Sequence, residues 1–304
     1  ARQLRLRAPQ AGPDALTEAE KVLRTALSRD DDISQQVRPL VWYELAWVMQ
    51  DLNRPNDTAQ AFYQLASSFP DHSLAEQSAR YACQTYSRFF DALVAEGRPI
   101  GVNQRRQYVA AMELLLDRWG EDDETKNWYY ALGWQYEEMA RISGEKSEQG
   151  LEYLRKAVAA CSKVPASQPQ YLQARNLALQ ARYRLLRLED KPVDARTADA
   201  AALATDLRNF ARKAAETAAQ APPDKAAMLR EQGAAAAFDA GSIRYEYLDQ
   251  QDKALAELQA LLNEPAWKGT DILQSVKQYE IRMLLEAGRI DQAIERVKAF
   301  AKQY

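Results

Sequence analysis

The sequence predicts an all-α protein, and three observations lead to this prediction. Good helix formers dominate the 304 residues, whereas Gly occurs 11 times and Pro 12 times. Apolar residues recur at helical spacing along most of the chain, and no segment shows the strict alternation of a half-buried strand. Residues 42–47 (WYELAW) return as residues 129–134 (YYALGW), so similar helical units occur more than once.

The first helices are predicted at residues 13–28, 38–52 and 56–68. An apolar stripe at helical spacing supports the first of them, formed by Leu16, Ala19, Val22, Leu23 and Ala26. Pro39 suits the first turn of the second helix. The Asn-Arg-Pro-Asn sequence at 53–56 forms the turn into the third helix, and Pro70 follows its end.

The middle helices are predicted at residues 73–94, 103–119, 126–141 and 147–163. Ser73 and Glu76 have the spacing of a capping box, which opens the first of these helices. Gly97 and Pro99 end it. Acidic residues at 121–124 suit the positive N-terminus of the helix that begins near 126.

The last helices are predicted at residues 169–188, 196–220, 225–248, 251–262, 270–287 and 291–303. Pro222, Pro223, Pro265 and Gly288 interrupt the helical pattern between them.

Composition and motifs argue against several functional classes. A net charge of −3 disfavours a nucleic-acid-binding protein, which normally carries a basic face. No run approaches the roughly 18 apolar residues of a membrane span. His72 is the sole histidine and lies in a polar turn, so neither a metal site nor histidine-based catalysis is predicted. No Gly-rich phosphate loop occurs. We therefore expect no enzymatic activity, cofactor or metal.

The two cysteines, Cys83 and Cys161, fall in predicted helices and are expected to be small core residues rather than disulfide partners. They do not settle the compartment. The chain begins at Ala1 rather than Met, as expected of a processed mature end or of a chain cut from a longer one.

Four segments resemble, irregularly, the pattern W-x2-L-G-x2-Y, then A-x3-F, then Pro, and the last of them lacks the Pro. The two clearest copies contain Trp42, Leu45, Ala46, Met49, Ala59, Tyr63 and Pro70, and Tyr129, Leu132, Gly133, Tyr136, Gly150, Leu154 and Pro165. Two further copies begin at Phe238 and Lys277. The chain therefore resembles the tetratricopeptide repeat (TPR) family, with an enlarged turn before Gly150.

The resemblance implies a right-handed α-solenoid of about six antiparallel helix pairs with a leading helix. It also implies a single TPR-like domain at residues 13–304, with a weak division near 190–196. Residues 1–12 are expected to form a loose N-terminal arm. In this family the first helix of each pair lines a concave groove, so the chain is expected to be a non-catalytic scaffold for a protein or peptide.

Candidate groove residues lie on the first helices of the repeats. They are Tyr43, Trp47, Gln50, Arg80, Gln84, Tyr130, Trp134 and Glu137, with Arg184 as a further polar contact. Tyr43 and Trp47 are four residues apart, as are Tyr130 and Trp134, so each pair shares one helix face. Two interpretations of Trp47 and Trp134 stay open: exposure in the groove, or packing against the neighbouring helix pair.

Residues 61–89 resemble the repeats of bacterial envelope proteins, including the lipoprotein of outer-membrane barrel assembly. The shared features are a Phe-Pro-Asp helix stop, a Ser cap and an Ala-rich helix. This resemblance slightly favours the periplasm or cell envelope over the cytoplasm.

Two alternatives to the scaffold remain. The chain could be a structural subunit of a larger assembly, with Arg2, Arg5 and Arg7 of the N-terminal arm assisting contact. It could also be an all-helical enzyme that uses paired carboxylates, although nothing in the sequence selects such a pair.

Overall fold

A computed structural model describes residues 13–29 and 32–301 of the protein. Within those ranges the chain is all-helical, with no strand and with one 3₁₀ turn. The prediction of an all-α protein is confirmed. The expected N-terminal arm lies outside the described residues. None of the helices in these ranges combines the length and apolarity needed to cross a membrane.

The described chain divides into two compact units. The first contains residues 13–143 and 163–168. Its helices are α1 (Pro13–Leu27), α2 (Asp32–Asp51), α3 (Pro55–Ser68), α4 (Ala75–Ala95), α5 (Val102–Trp119), the single turn α6 (Asp123–Lys126) and α7 (Trp128–Ser143).

The second unit contains residues 144–162 and 169–301. Its helices are α8 (Glu148–Ser162), α9 (Tyr171–Leu188), α10 (Val193–Ala218), α11 (Pro223–Leu248), α12 (Gln251–Asn263), α13 (Ile272–Glu286) and α14 (Ile290–Ala301), with a 3₁₀ turn at Pro265–Trp267. In both units helices that follow one another in the chain pack together.

The division between the units falls at residues 143–169, whereas α9 and α10, on either side of residues 190–196, pack within one unit. The helices predicted as one pair, α7 and α8, belong to different units. The enlarged turn before Gly150 marks this place, and Gly144 there has φ +81°, a value that glycine adopts readily. The single domain at 13–304 stays a prediction.

The short segment at 163–168 belongs to the first unit because two contacts tie it there. The Lys163 ammonium lies 5.2 Å from the centre of the Tyr129 ring. The Gln168 side chain donates a hydrogen bond of 2.8 Å to the backbone oxygen of Asp123.

Two local predictions are wrong. Pro39 lies inside α2 rather than in its first turn, because the helix begins at Asp32. A proline prevents one backbone hydrogen bond and strains the preceding turn, but it does not prevent helix before it. Ser73 does not cap α4, which begins at Ala75 after Leu74 without a side-chain cap. Instead, His72 Nδ1 accepts a hydrogen bond of 3.2 Å from the backbone N–H of Leu74.

The cores follow from the apolar stripes of the helices. In the first unit, Ala19 and Leu23 of α1 pack against Leu45, Val48 and Met49 of α2. Each fully buried Leu or Met side chain contributes about 1.5–3 kcal/mol through the hydrophobic effect. These contacts dock the leading helix onto the first helix pair.

The core of the second unit is built on the long antiparallel pair α10 and α11. Buried alanines occupy much of their interface, including Ala204, Ala211, Ala214, Ala234 and Ala240. Small side chains let the two backbones approach closely. The ring of Trp267 is buried beside Gly233 of α11, where an added Cβ would lie 2.7 Å from the ring.

Both cysteines are free and buried, so the prediction that they are core residues is confirmed. Burial raises the pKa of the Cys83 thiol above its ordinary value. This thiol is consequently protonated and unreactive at neutral pH.

Candidate interaction surface

Three helices of the first unit bury equivalent positions. Leu45, Val48 and Met49 are buried in α2. The equivalent positions lie 34 residues later in α4, where Ala79, Ala82 and Cys83 are buried. They lie 87 residues later in α7, where Leu132, Gln135 and Tyr136 are buried. The three helices therefore turn corresponding sides to the core, and the remaining sides can be compared position by position.

The positions beside this buried stripe are exposed or partly exposed on all three helices. We call them the equivalent face; it consists of Tyr43, Trp47, Gln50, Gln77, Tyr81, Gln84, Tyr130, Trp134 and Glu137. An aromatic side chain stands at the central position of each helix, and an amide or carboxylate follows three residues later. This face contains seven of the eight candidate groove residues.

Trp47 is partly buried in an aromatic cluster that joins α2 to the next two helices. Its ring centre lies 5.5 Å from Phe62 of α3 and 5.5 Å from Tyr81 of α4, both in edge-to-face geometry. Tyr43 joins the cluster at 6.1 Å from Trp47. Such contacts are favourable for aromatic pairs. Trp47 thus packs against the neighbouring helix pair, one of the two interpretations left open by the sequence.

Trp134 has a different environment. It is 47% exposed, although it occupies the position in α7 that Trp47 occupies in α2. Tyr130 and Glu137 are partly buried beside it on the same helix face. A large, half-exposed ring on an ordered helix is a common anchor for a protein partner.

A buried arginine fixes the helix that carries Trp134. Arg105 of α5 donates a hydrogen bond of 2.7 Å from Nη1 to Gln135 Oε1, and its Nη2 lies 3.3 Å from Glu138 Oε2. Burial lowers the pKa of the Arg105 guanidinium, and the charge of Glu138 opposes this effect. The guanidinium stays charged, and its two partners set the rotation of α7.

Arg80 is engaged in ion pairs. Its Nη2 lies 2.9 Å from Glu76 Oε1 and 3.0 Å from Asp122 Oδ2. Hydrogen bonds from Thr125, joined by Arg80, hold the pKa of the Asp122 carboxyl at about 2. Arg80 therefore links α4 to the N-terminus of α6 rather than presenting a free charge.

The remaining predicted polar residues fall into two groups. Gln50 and Gln84 are exposed on the equivalent face, each three residues after its aromatic neighbour. Arg184 lies in the second unit, where its Nη1 is 2.8 Å from Glu145 Oε1. Its guanidinium is thus taken up by a structural ion pair.

Sequence reasoning missed Tyr81 and Gln77 as members of the face. Gln77 is exposed, and its side chain donates a hydrogen bond of 2.9 Å to the Tyr81 hydroxyl. The available signal was the offset of 34 residues between Trp47 and Tyr81, the period of the repeat. This offset was difficult to recognise, because Tyr81 does not lie within a Leu-Gly sequence.

The second unit contains a cavity of about 490 Å³ bordered by α8, α9 and α10. Charged side chains at its edge neutralise one another: Glu189 lies 2.7 Å from Arg155 and 2.8 Å from Lys191, which is also 2.8 Å from Asp199. Burial would raise the pKa of the Glu189 carboxyl, but these hydrogen bonds outweigh it and lower the pKa. The network links the C-terminal end of α9 to α8 and α10 through paired charges.

Asp239 of α11 has the most perturbed carboxyl group of the second unit's interior. Burial, opposed by a hydrogen bond of 3.0 Å from Gln180 of α9, raises its pKa to about 6. Arg187 opposes the rise, and the charge of Glu246 adds to it. A single carboxyl of this kind does not make a catalytic pair.

Metal chemistry finds no support among the described residues. In residues 13–29 and 32–301 no three His, Cys, Asp or Glu side chains are arranged to hold a metal ion. His72 instead serves the turn before α4, as described above.

Comparisons with known proteins give no family. No family model matches the chain, and no curated protein matches it significantly. One similar solved chain, from "Computational Design of Self-Assembling Cyclic Protein Homooligomers", is 14% identical, with 96% of this chain and 92% of that chain covered and a TM-score of 0.24. A likeness this weak carries no argument about fold or function.

Proposed function

We propose that the protein is a non-catalytic helical-repeat scaffold that binds a protein or peptide segment through the equivalent face of α2, α4 and α7. The observation that carries the proposal is the half-exposed Trp134 at the position where Trp47 and Tyr81 are packed. The rings of Trp47 and Tyr81 pack against each other, whereas the ring of Trp134 remains available to a partner.

Recognition would combine one apolar anchor with polar contacts. Trp134 supplies a large apolar area on a helix whose rotation is fixed by Arg105. The amides of Gln50 and Gln84 can each donate to and accept from a peptide backbone. A segment with an apolar side chain for Trp134 and an extended or helical backbone suits these groups.

The proposal includes the TPR resemblance. The offset of 34 residues between α2 and α4 and the equivalent burial of three helices support it. Within this proposal, successive helix pairs stack in the right-handed sense of a TPR solenoid, with about six pairs after the leading helix. The likeness of residues 61–89 to envelope repeats slightly favours the periplasm or cell envelope over the cytoplasm as the compartment.

The experiment is a pull-down from native extract with the purified chain, with partners identified by mass spectrometry. The wild type is run beside Trp134→Ala and beside Ile142→Ala, a matched control. Ile142 is 41% exposed on the same helix but lies outside the equivalent face. We expect one partner to be captured by the wild type and the control and lost with Trp134→Ala.

Helicity and thermal unfolding of each variant are measured by circular dichroism in parallel. A partner that binds Trp134→Ala as well as the wild type would contradict the proposed surface. A Trp134→Ala variant that loses its helicity would show that the ring is structural, which also contradicts the proposal.

A further inference from the structure

The outer side of the last described helix, α14, is apolar. Ile290, Ile294 and Val297 are 50%, 45% and 47% exposed. They are spaced i, i+4 and i+7, so they form one continuous stripe. We call these three residues the α14 stripe. Single exposed apolar residues are ordinary on protein surfaces, but an aligned set on one helix resembles one side of a helix–helix seam.

The rest of α14 is firmly docked, which fixes the direction of the stripe. Ala293 is buried against the core of the second unit. Arg296 Nε lies 3.0 Å from Oε1 of the buried Glu280, which also accepts a hydrogen bond of 3.0 Å from Gln259. Arg289, which immediately precedes α14, forms an ion pair with Asp252 at the start of α12. These contacts occupy the inner side and leave the stripe facing outward.

The charges beside the stripe are self-complementary. Asp291 and Lys298 are exposed along the same edge of the helix. Seven residues separate them, about 10 Å along the axis, so they are too far apart to pair with each other. If a second α14 lies antiparallel with the two Ile294 side chains at the centre, Ile290 meets Val297 of the second copy. Asp291 then meets Lys298 of the second copy, and the reverse pair forms at the other end.

From this arrangement we propose that the α14 stripe is a twofold interface with a second copy of this chain. A twofold interface requires one surface that complements itself, so that residue i meets j while j meets i. In antiparallel helix pairs, residues on the same edge of the two helices face each other. The α14 stripe satisfies both requirements.

The first test is sedimentation of the full chain over a range of concentrations. We expect a monomer–dimer equilibrium, with Ile294→Glu raising the dissociation constant about tenfold or more, because an ionised group would enter the apolar seam. Val193→Glu is the control, since Val193 is 77% exposed at the start of α10 in the same unit. A wild type that stays monomeric would overturn the proposal.

Charge reversal tests the antiparallel geometry directly. Asp291→Lys and Lys298→Asp should each weaken the dimer, because each places like charges opposite one another. The double variant Asp291→Lys/Lys298→Asp should restore it, and so should a mixture of the two single variants. A dimer indifferent to these changes would place the contact elsewhere and overturn the proposal.

A cysteine at the centre provides a covalent test. Ile294→Cys should form an intermolecular disulfide under mild oxidation, since the two copies of residue 294 meet at the twofold axis. Val193→Cys should not form one. The native Cys83 and Cys161 are buried and do not compete. Equal crosslinking at both positions would contradict the proposal.

Discussion

At the scale of the residue, Asp239 makes a specific prediction about pH. Its pKa is about 6 in the folded chain and 3.8 in an unfolded one. The folded state therefore holds the proton more tightly, and this contribution to stability is complete below pH 3.8 and is lost as the pH rises through about 6.

Asp239→Asn removes the charge and keeps an oxygen to accept the hydrogen bond from Gln180. We expect its free energy of unfolding to match the wild type near pH 3.5 and to exceed it by about 3 kcal/mol at pH 8. Denaturant titrations at several pH values measure this difference. A gain that is equal at pH 3.5 and pH 8 would show that the carboxyl charge is not the cause.

Two tryptophans at equivalent positions should respond differently to truncation. Trp47→Ala removes contacts with Phe62 and Tyr81 and should lower the free energy of unfolding by about 2–4 kcal/mol. Trp134→Ala should cost less than about 1 kcal/mol, because nearly half of that side chain is exposed. Urea unfolding of both variants decides the point, and equal losses would refute the assigned difference.

At the scale of the element, the packing of α11 depends on Gly233. Alanine favours helix over glycine by about 1 kcal/mol. An added Cβ at position 233, however, would lie 2.7 Å from the Trp267 ring and 3.1 Å from Ala214 Cβ. Overpacking of this kind costs about 1–3 kcal/mol, so Gly233→Ala should destabilise the protein despite its higher helix propensity.

Gly241 on the same helix is the matched comparison. There an added Cβ would meet the end of the Leu258 side chain at 2.9 Å, and that end can turn aside more easily than a buried indole ring. Thermal unfolding should therefore show a larger loss for Gly233→Ala than for Gly241→Ala. The opposite order would mean that the Trp267 ring yields to the added methyl group.

Helix positions were predictable from the sequence because the apolar stripes and the Pro and Gly breaks act locally. The start of α2 was not predictable in this way, because a proline such as Pro39 is typical of a first helical turn. Only the residues before Pro39 determine where the helix begins. The predicted cap of α4 was wrong for a similar reason, because His72 and Ser73 compete for the same turn. Several side chains can satisfy one N-terminus, and sequence spacing does not rank them.

At the scale of the whole molecule, the repeat spacing predicted the candidate surface better than it predicted the division into units. The return of residues 42–47 as residues 129–134 correctly indicated that α2 and α7 turn corresponding sides to the core. The division after Ser143 depends on which helices pack together across the turn that follows α7, and this packing involves residues far apart in the chain. The different environments of Trp47 and Trp134 could not be predicted for the same reason. Whether each ring is packed or exposed depends on other helices, which the sequence around the ring does not contain.

The proposed function requires that a partner binds the equivalent face of the first unit. Photo-crosslinking of the chain in native extract tests it most directly, with a photoreactive amino acid at position 84 or 134 and a control at position 94 on α4. Val94 is 66% exposed and lies roughly 140° around the helix from Tyr81 and roughly 80° from Gln84, outside the equivalent face. We expect crosslinks to one partner from positions 84 and 134 and none from 94. Crosslinks from position 94 alone would contradict it.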